Sequence, residues 1–319
     1  MLMTRFAVWM FSVGLMVSGA GVVSGQDYPN KPIRIVTLSI GGGADFVARL
    51  IANGISGSLG QNMIVDNRPS GVIPGQIVSQ APPDGYTLLF VGPPLWIGSL
   101  LRKTPYDPVT DFAPISSAGK SPNILVVHPS LPVKSVKELI ALAKARPGEL
   151  NYSGGSAGGS THLSGELFKF MAGINIVRIP YSSGTAEIAD LISGQSQMTL
   201  GGPDQLMPHV KAGKLRALAV TSAQPSPLAP GLPPVALTLP GFEVVGTTGM
   251  FAPAKTPEAI IRRLNQEIAR YLNRPETKER FLSSGLETAA SSPEEFAALI
   301  KSDMARLGKV IKDAAIRAD

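Results

Sequence analysis

The sequence predicts an α/β protein with two domains, on three observations. Segments rich in β-branched residues alternate with segments whose apolar residues recur at helical spacing, an order typical of parallel sheets covered by helices. The chain has 319 residues, enough for two domains of roughly 150 residues each. Each half also carries a glycine-rich loop between a predicted strand and a predicted helix.

The predicted strands are short and β-branched. The first, Ile33–Leu38, leads into the first glycine loop, and apolar residues recur at helical spacing between Phe46 and Ile55. The further predicted strands are Met63–Asp66, Thr87–Val91, Ile124–His128, Ile176–Ile179, Leu215–Thr221 and Gly249–Ala252.

Three helices have recognisable start signals. Ser135 and Glu138 form a capping-box pattern, and Ser292–Glu295 combines that pattern with a proline in the first turn. At Thr256-Pro257, a threonine cap and a first-turn proline are predicted. The segment 224–240 carries six prolines and is predicted to be an extended surface connection.

The amino terminus predicts export. Arg5 precedes the apolar run Phe6–Val17, and small residues follow up to Gly25, the pattern of a cleavable signal peptide over residues 1–25. About a dozen apolar residues fall short of the ~20 that span a bilayer. A permanent amino-terminal anchor is the alternative. In a Gram-negative source, the mature chain is expected in the periplasm.

Composition excludes several classes of function. The chain has no cysteine, which excludes a disulfide scaffold, a thiolate metal site, a cysteine nucleophile and a lipid-anchored amino-terminal cysteine. Its net charge is +6, but the cations are scattered and form no run of three, so a nucleic-acid partner is not predicted.

The two glycine loops are the main chemical feature. They cover Ile40–Asp45 and Ser153–His162, each between a strand and a helix. A helix amino terminus offers free N–H groups with partial positive charge, and glycine lets an anion approach the backbone. Two such loops could close on one carboxylate-bearing ligand. The alternative is that the glycines only permit tight turns.

Three known motifs compete for these loops. Gly41–Gly43 lacks the spacing of the dinucleotide fingerprint, and Gly154–Thr161 resembles a P-loop without its lysine. Gly154-Gly155-Ser156-Ala157-Gly158 matches the nucleophile elbow of α/β-hydrolases, which leaves an esterase with Ser156, Asp204 and His209 as an alternative. Asp204 and His209 are close together in sequence, and no oxyanion motif accompanies them.

The other polar residues predict no catalytic or metal site. The three histidines His128, His162 and His209 do not form a metal-ligand pattern with an acidic partner. His162 could contact a ligand or only cap its helix, and Asp45 would be stabilised by its helix dipole whatever the function. No cofactor is predicted.

Taken in order, the motifs resemble the extracytoplasmic solute receptors of tripartite tricarboxylate transporters, also called the Bug family. The resemblance covers nearly the whole mature chain. The segments that carry it are Tyr28–Arg34, Gly41–Asp45 with Ala48-Arg49, Asn67–Pro69, Pro83–Leu89, His162-Leu163, Glu166–Phe168, Pro180-Tyr181, Asp190-Leu191, Gly194-Gln195, Gly213–Thr221 and Phe251–Pro253.

This resemblance implies a type II periplasmic-binding-protein fold, with two α/β lobes, a central cleft and a crossover hinge. It implies lobes of residues 26–122 plus 247–319 and 123–246, with crossovers near Pro122 and Thr247. It also implies a small carboxylate ligand, held largely by backbone amides of the two glycine loops. The residues expected to line the site are Ile40, Gly41, Gly42, Gly43, Ala44, Asp45, Gly154, Gly155, Ser156, Ala157, Gly158, Gly159, Ser160, Thr161, His162, Tyr181 and Gly201.

Several residues depart from the family pattern. Thr37–Ile40 replaces a Pro-Phe-x-Pro segment, Ser70–Ile73 is a shortened glycine stretch, and Gly201-Gly202 replaces an Asp-Asn pair. In the second loop, Gly154 and Ser156 stand where serine and glycine are usual. These departures concern the ligand and leave the fold expectation unchanged.

The sequence thus predicts a monomeric, non-enzymatic receptor that captures a small carboxylate for the membrane permease subunits of a tripartite transporter. A degenerate receptor that serves as a signalling or binding module is a further alternative.

Overall fold

The computed structural model describes residues 28–40, 43–68, 72–155, 159–181, 184–313 and 315–316. The predicted signal peptide, 1–25, lies outside them. The strands within these ranges are β1 (Ile33–Thr37), β2 (Met63–Asn67), β3 (Thr87–Val91), β4 (Phe112–Pro122), β5 (Ile124–Val127), β6 (Asn151–Gly154), β7 (Val177–Pro180), β8 (Met198–Gly201), β9 (Arg216–Val220), β10 (Val245–Pro253) and β11 (Glu287–Thr288).

Helices flank these strands. They are α1 (Gly43–Leu59), α2 (Ile73–Ser79), α3 (Gly98–Leu101), α4 (Val136–Ala145), α5 (Ser160–Ala172), α6 (Gly184–Ser193), α7 (Pro203–Lys211), α8 (Glu258–Leu272), α9 (Pro275–Ser283) and α10 (Pro293–Asp313), with a short 3₁₀ turn at Val235–Leu237. Among the described residues, no helix is both long and apolar enough to cross a bilayer.

The strands form two sheets. The first has the order β11-β4-β10-β3-β1-β2 and the second β7-β6-β8-β5-β9. In the first sheet β1 runs parallel to β2 and β3, and in the second β6 runs parallel to β7 and β8. Both sheets also contain a reversed strand, because β10 is antiparallel to β3 and β4, and β5 is antiparallel to β8 and β9.

The reversed strands mark the junction between the sheets. β4 ends at Pro122 and β5 begins at Ile124, so Asn123 alone connects them. β10 pairs with β4 from Val245 opposite Pro122 onward. β5 and β10 therefore both begin at the junction, where the neighbouring parallel strands end, and must run in the opposite direction.

The predicted capping boxes are confirmed. The Glu138 N–H donates to Ser135 Oγ at 3.2 Å, and the Glu295 N–H donates to Ser292 Oγ at 3.0 Å. The predicted threonine cap of α8 is wrong: Pro257 is the cap position, and Thr256 Oγ1 donates instead to the Pro253 carbonyl at 2.7 Å. That bond closes a turn between β10 and the helix.

One hydrophobic cluster extends across both sheets. It joins Val36 and Leu89 of the first sheet to Leu125 and Tyr152 of the second, together with Phe296 and several further residues of α10. α10 packs on β4 and also on α5. The carboxy-terminal helix therefore contacts both halves, and the lobe boundaries expected from the sequence stay a prediction.

Candidate functional site

Two helix amino termini follow parallel strands of the two sheets. α1 begins after β1 in the first sheet, and α5 begins after β6 in the second. In open α/β sheets, ligands bind outside the carboxyl ends of the parallel strands, where helices begin. The two glycine loops predicted to bind ligand occupy these positions.

The first loop is anchored by Asn67 at the end of β2. Its side-chain amide donates to the Leu38 carbonyl at 2.7 Å and to Asp45 Oδ1 at 2.8 Å. Asp45 also pairs with Arg49 Nε at 2.9 Å, and Arg49 Nη2 donates to Asn67 Oδ1 at 2.8 Å. The buried Asp45 carboxylate thus connects α1 to β2, which is a structural role for a residue expected to line the ligand site.

The other residues of the first loop lie in different surroundings. Gly43 and Ala44 start α1, while the Ile40 side chain is 78% exposed. Gly41 and Gly42 lie outside the described residues.

Arg178 of β7 holds the start of the second loop through two hydrogen bonds. Its Nε donates to the Gly154 carbonyl at 3.1 Å, and its Nη2 donates to the Gly155 carbonyl. Because a trans peptide points its N–H opposite to its C=O, the Gly155 N–H faces away from Arg178. The guanidinium therefore fixes the direction in which the first amide of this loop points.

The cap residue of α5 is a glycine. Gly159 is in extended backbone and makes no side-chain cap hydrogen bond. Ser160 and Thr161 form the first turn with His162, whose side chain is buried. Ser156, Ala157 and Gly158 lie outside the described residues.

Asn123, the single residue between β4 and β5, contacts the start of α5. Its side-chain amide donates to Ser160 Oγ at 2.9 Å and to Ser164 Oγ at 3.0 Å, and its backbone N–H donates to Thr221 Oγ1 at 2.7 Å. The crossover residue is therefore hydrogen-bonded to the helix that follows the second loop. Sequence reasoning missed this residue.

Tyr181 lies beside two carboxylates. Its hydroxyl donates to Asp190 Oδ2 at 2.7 Å. Burial raises the pKa of Tyr181 to about 12, and the negative charges of Asp190 and Glu187 add to the rise. Two carboxylates of α6 therefore lie near the end of β7, the strand that pairs with β6.

A cavity of about 400 Å³ is lined by residues of both halves. Gly43 and Phe46 of α1 line it, with Ser121 of β4, Asp204 of α7 and the segment 284–286. Of the expected site residues that the structure describes, Gly43 alone lines it. A Cβ added to Gly285 would lie 3.2 Å from the Asp204 Cβ, so the halves are in contact at this end of the cleft.

The back of the junction holds a second cavity, of about 240 Å³. It is lined by Lys120, Glu287, Asp303 and Arg306, among others. Ser121 faces the first cavity and Lys120 the second, as expected for successive residues of a strand. The crossing strands therefore separate the cleft from a charged cavity behind it.

Gly201, also expected at the ligand site, ends β8 and is buried. A Cβ there would lie 3.0 Å from Leu206 Cδ1 of α7. The glycine therefore lets α7 pack closely on the strand.

This arrangement matches that of known receptors. A sequence model of the tripartite tricarboxylate transporter family receptors matches residues 47–316. The chain belongs to this receptor family. It is 33% identical over 311 residues to BugT of Bordetella pertussis, covering 94% of this chain and 95% of BugT.

Solved structures agree with the receptor family. An R. palustris protein solved with adipate is 35% identical, with a TM-score of 0.71, over 92% of this chain and 100% of that one. The periplasmic binding protein BugD is 28% identical, with a TM-score of 0.68 over 92% and 100%. MatC from Rhodopseudomonas palustris, with bound malate, is 26% identical, with a TM-score of 0.67 over 89% and 100%. The chain therefore has the two-lobed periplasmic-binding-protein fold of the receptors, with a central cleft and a crossover hinge.

The hydrolase triad considered from the sequence has poor geometry on this fold. Asp204 and His209 lie on the same helix, α7. Five residues along a helix separate two side chains by about 140° around the axis. The pair therefore points to different sides of α7, and Ser156 lies outside the described residues.

The described part of the chain contains no group of three or more histidine, aspartate or glutamate residues that could hold a metal ion.

Proposed function

We propose that this chain is an extracytoplasmic receptor that captures a small carboxylate-bearing metabolite between its lobes. The observation that carries the proposal is the start of α5 after Gly159, a cap residue without a side chain, beside a loop whose carbonyls accept hydrogen bonds from Arg178. Amides at a helix start stabilise an anion without an arginine partner. Two relatives of similar fold were solved with adipate and malate, which supports a carboxylate as the ligand class here.

In this proposal, the ligand lies between the starts of α1 and α5, and the lobes close over it by hinge motion at the crossovers near Pro122 and Thr247. The lobes are residues 26–122 plus 247–319 and 123–246. The ligand site includes Gly43 and Ala44 of the first loop, and Gly154, Gly155 and Gly159 of the second, together with residues 156–158.

The receptor would act as a monomer, without catalysis, after removal of residues 1–25 on export to the periplasm. Its closed form would deliver ligand to the membrane permease subunits of a tripartite transporter. A sensor protein would replace the permease if the receptor serves in signalling.

The test is calorimetry of the purified mature chain with a panel of carboxylates, amino acids and aromatic acids. We expect one carboxylate class to bind and to reduce the radius of gyration in X-ray scattering. No binding across the panel, with no closure by any member, would overturn the proposal. Ester hydrolysis that is lost in Ser156→Ala would replace it with the esterase alternative.

Sequencing the amino terminus of the secreted protein tests export, and light scattering tests the monomer. Co-purification of tagged receptor with membrane subunits in the presence of the bound carboxylate tests the transporter partner. A protein retaining residues 1–25 in the membrane would contradict the signal-peptide prediction.

A further inference from the structure

The cavity behind the crossing strands collects charged groups from both halves of the molecule. Its volume is about 240 Å³, and its charged lining residues are Lys120, Glu243, Glu287, Asp303 and Arg306. Lys120 of β4 and Glu287 of β11 pair with each other at 3.3 Å, so their charges offset. No histidine of the described chain lines the cavity. The carboxylates of Glu243 and Asp303 are therefore left to the Arg306 guanidinium.

Arg306 divides its guanidinium between these two carboxylates. Its Nη2 donates to Asp303 Oδ1, on the same helix, at 2.5 Å, while its Nη1 lies 3.5 Å from Glu243 Oε2. The second distance is longer than an N–H···O hydrogen bond, so the pair with Glu243 is a loose ion pair. Arg306 Nε is buried and has no hydrogen-bond partner in the described part of the chain. A buried donor without an acceptor is costly, so turning the guanidinium toward Glu243 would lower that cost.

Glu243 lies where the chain enters the crossover. Val245, two residues later, begins β10. Between them, the Val244 N–H donates to the Thr221 carbonyl at 3.0 Å, and Thr221 Oγ1 donates to the Val244 carbonyl at 2.7 Å. These bonds tie the segment to the end of β9 in the second sheet, whereas α10 packs on β4 of the first sheet. A tighter ion pair between α10 and Glu243 would therefore connect the two halves at the crossover.

Asp303 is the group in this cluster whose charge changes near neutral pH. The residue is only 8% exposed, and burial raises the pKa of its carboxyl to about 6, although the neighbouring Arg306 lowers it. When it is ionised, Asp303 competes with Glu243 for the guanidinium. When it is protonated, its attraction for the guanidinium is weaker, because a neutral carboxyl has lost the charge-assisted hydrogen bond.

We propose that Asp303, Arg306 and Glu243 form a proton-operated latch on the crossover. Protonation of Asp303 releases the guanidinium to Glu243, which tightens the connection between α10 and the segment that enters β10. Ionisation of Asp303 draws the guanidinium back to α10 and loosens that connection. The hinge is then stiffer in acid than at neutral pH, whichever ligand the cleft binds. The inference goes beyond the proposed function, since it concerns the ligand-free hinge.

The test reads the exchange of the Val244 amide hydrogen, because its bond to the Thr221 carbonyl breaks when the crossover opens. Exchange is followed by NMR on the ligand-free mature chain at pH 5 and pH 7.5, and each rate is corrected for the intrinsic exchange rate at that pH. The Gln197 amide, which donates to the Asn151 carbonyl at 2.9 Å between β6 and β8, is the internal reference for the stability of the second half. We expect the protection of Val244, relative to Gln197, to be at least threefold higher at pH 5.

Two variants separate the latch from the rest of the fold. Asp303→Asn cannot ionise, so its Val244 protection at pH 7.5 should rise to the level that the natural chain shows at pH 5. Glu243→Gln keeps the titration of Asp303 but removes the charge that receives the guanidinium, so its protection at pH 5 should fall to the natural level at pH 7.5. The matched control is Asp313→Asn, which removes a more exposed carboxylate of α10 that pairs with Lys309. It should keep the natural pH dependence.

Equal protection of Val244 at the two pH values in the natural chain would overturn the inference. So would a pH dependence that survives in Glu243→Gln, because the burial of Asp303 alone would then account for it. The Glu243 side chain is 39% exposed, so this variant decides the question even if Asp303→Asn does not fold. Ligand binding does not enter the measurement, and the receptor proposal therefore stands or fails separately.

Discussion

The Nε atom of Arg178 donates a hydrogen bond to the Gly154 carbonyl over 3.1 Å, which ties the edge strand β7 to the start of the second glycine loop. Together with the bond from Nη2 to the Gly155 carbonyl, this contact sets the direction of the Gly155 amide. The orientation of the proposed anion site therefore depends on a residue that lies beneath the loop.

Replacing Arg178 with alanine is predicted to weaken ligand binding by about tenfold or more, because hydrogen bonds from a charged donor contribute about 1.5 to 3 kcal/mol. Calorimetry with the best carboxylate of the panel measures the change. Arg216→Ala is the matched control, since Arg216 Nη1 also donates to two carbonyls, of Leu131 and Val133, but at the other edge of the sheet. Equal losses of affinity in the two variants would contradict the role assigned to Arg178.

Gly54 is predicted to be needed for the packing of α1 against α8. A Cβ at this position would lie 2.2 Å from Cε2 of the buried Tyr271 ring. Gly54→Ala should lower the free energy of unfolding by about 1 to 3 kcal/mol, as overpacking does. Gly57→Ala, on the same helix with nothing within 4 Å of the added carbon, should raise it by roughly 0.5 to 1 kcal/mol. Urea denaturation measures both, and a Gly54→Ala variant as stable as Gly57→Ala would refute the packing argument.

Most of the fold could be predicted because its signals are local. The strand Thr87–Val91 forms with the predicted bounds, and the capping boxes at Ser135 and Ser292 form as expected. The long crossing strand β4 was not predicted, since Phe112–Pro122 contains two prolines, a glycine and three serines. Its extended form is stabilised by pairing with β10, a partner more than a hundred residues away.

The candidate site was harder to predict. The glycine loops could be located, but the residues that orient them, Arg178 and Asn123, act through contacts between distant segments. Outside the site, Asp303 had a signal that could have been used. With Ile300 and Leu307 it occupies the buried face of α10, and an acidic residue at a helix position normally filled by an apolar one indicates a special role.

Glu287 is predicted to hold the two halves together behind the cleft. Its carboxylate pairs with Lys120 Nζ at 3.3 Å on the crossing strand β4, and it accepts a hydrogen bond from Ser226 in the connection after β9. Glu287→Ala should therefore shift the ligand-free protein toward more open forms, which small-angle X-ray scattering would detect as a larger radius of gyration. Glu258→Ala removes an exposed ion pair with Arg262 within α8 and should leave the scattering unchanged. Identical scattering of Glu287→Ala and the natural chain would contradict this prediction.

Asp303 is predicted to make stability depend on pH between about 4 and 6. Burial raises the pKa of this carboxyl to about 6 from its ordinary 3.8, although the nearby Arg306 lowers it. The folded state then binds the proton more tightly than the unfolded state, so the contribution of Asp303 to stability is present at low pH and is lost as pH rises toward 6. Asp303→Asn removes the titrating carboxyl and with it this pH-dependent contribution, while Arg306 keeps its pairing with Glu243 at 3.5 Å. Relative to the natural chain, the variant should gain on the order of 2 kcal/mol in unfolding free energy between pH 4 and pH 7, since one pKa unit corresponds to about 1.4 kcal/mol. Urea denaturation at both pH values measures this difference.

The control is Asp313→Asn, which neutralises a more exposed carboxylate on the same helix. It should show no such gain in unfolding free energy. A gain of equal size there would assign the pH dependence to the charge of α10 as a whole.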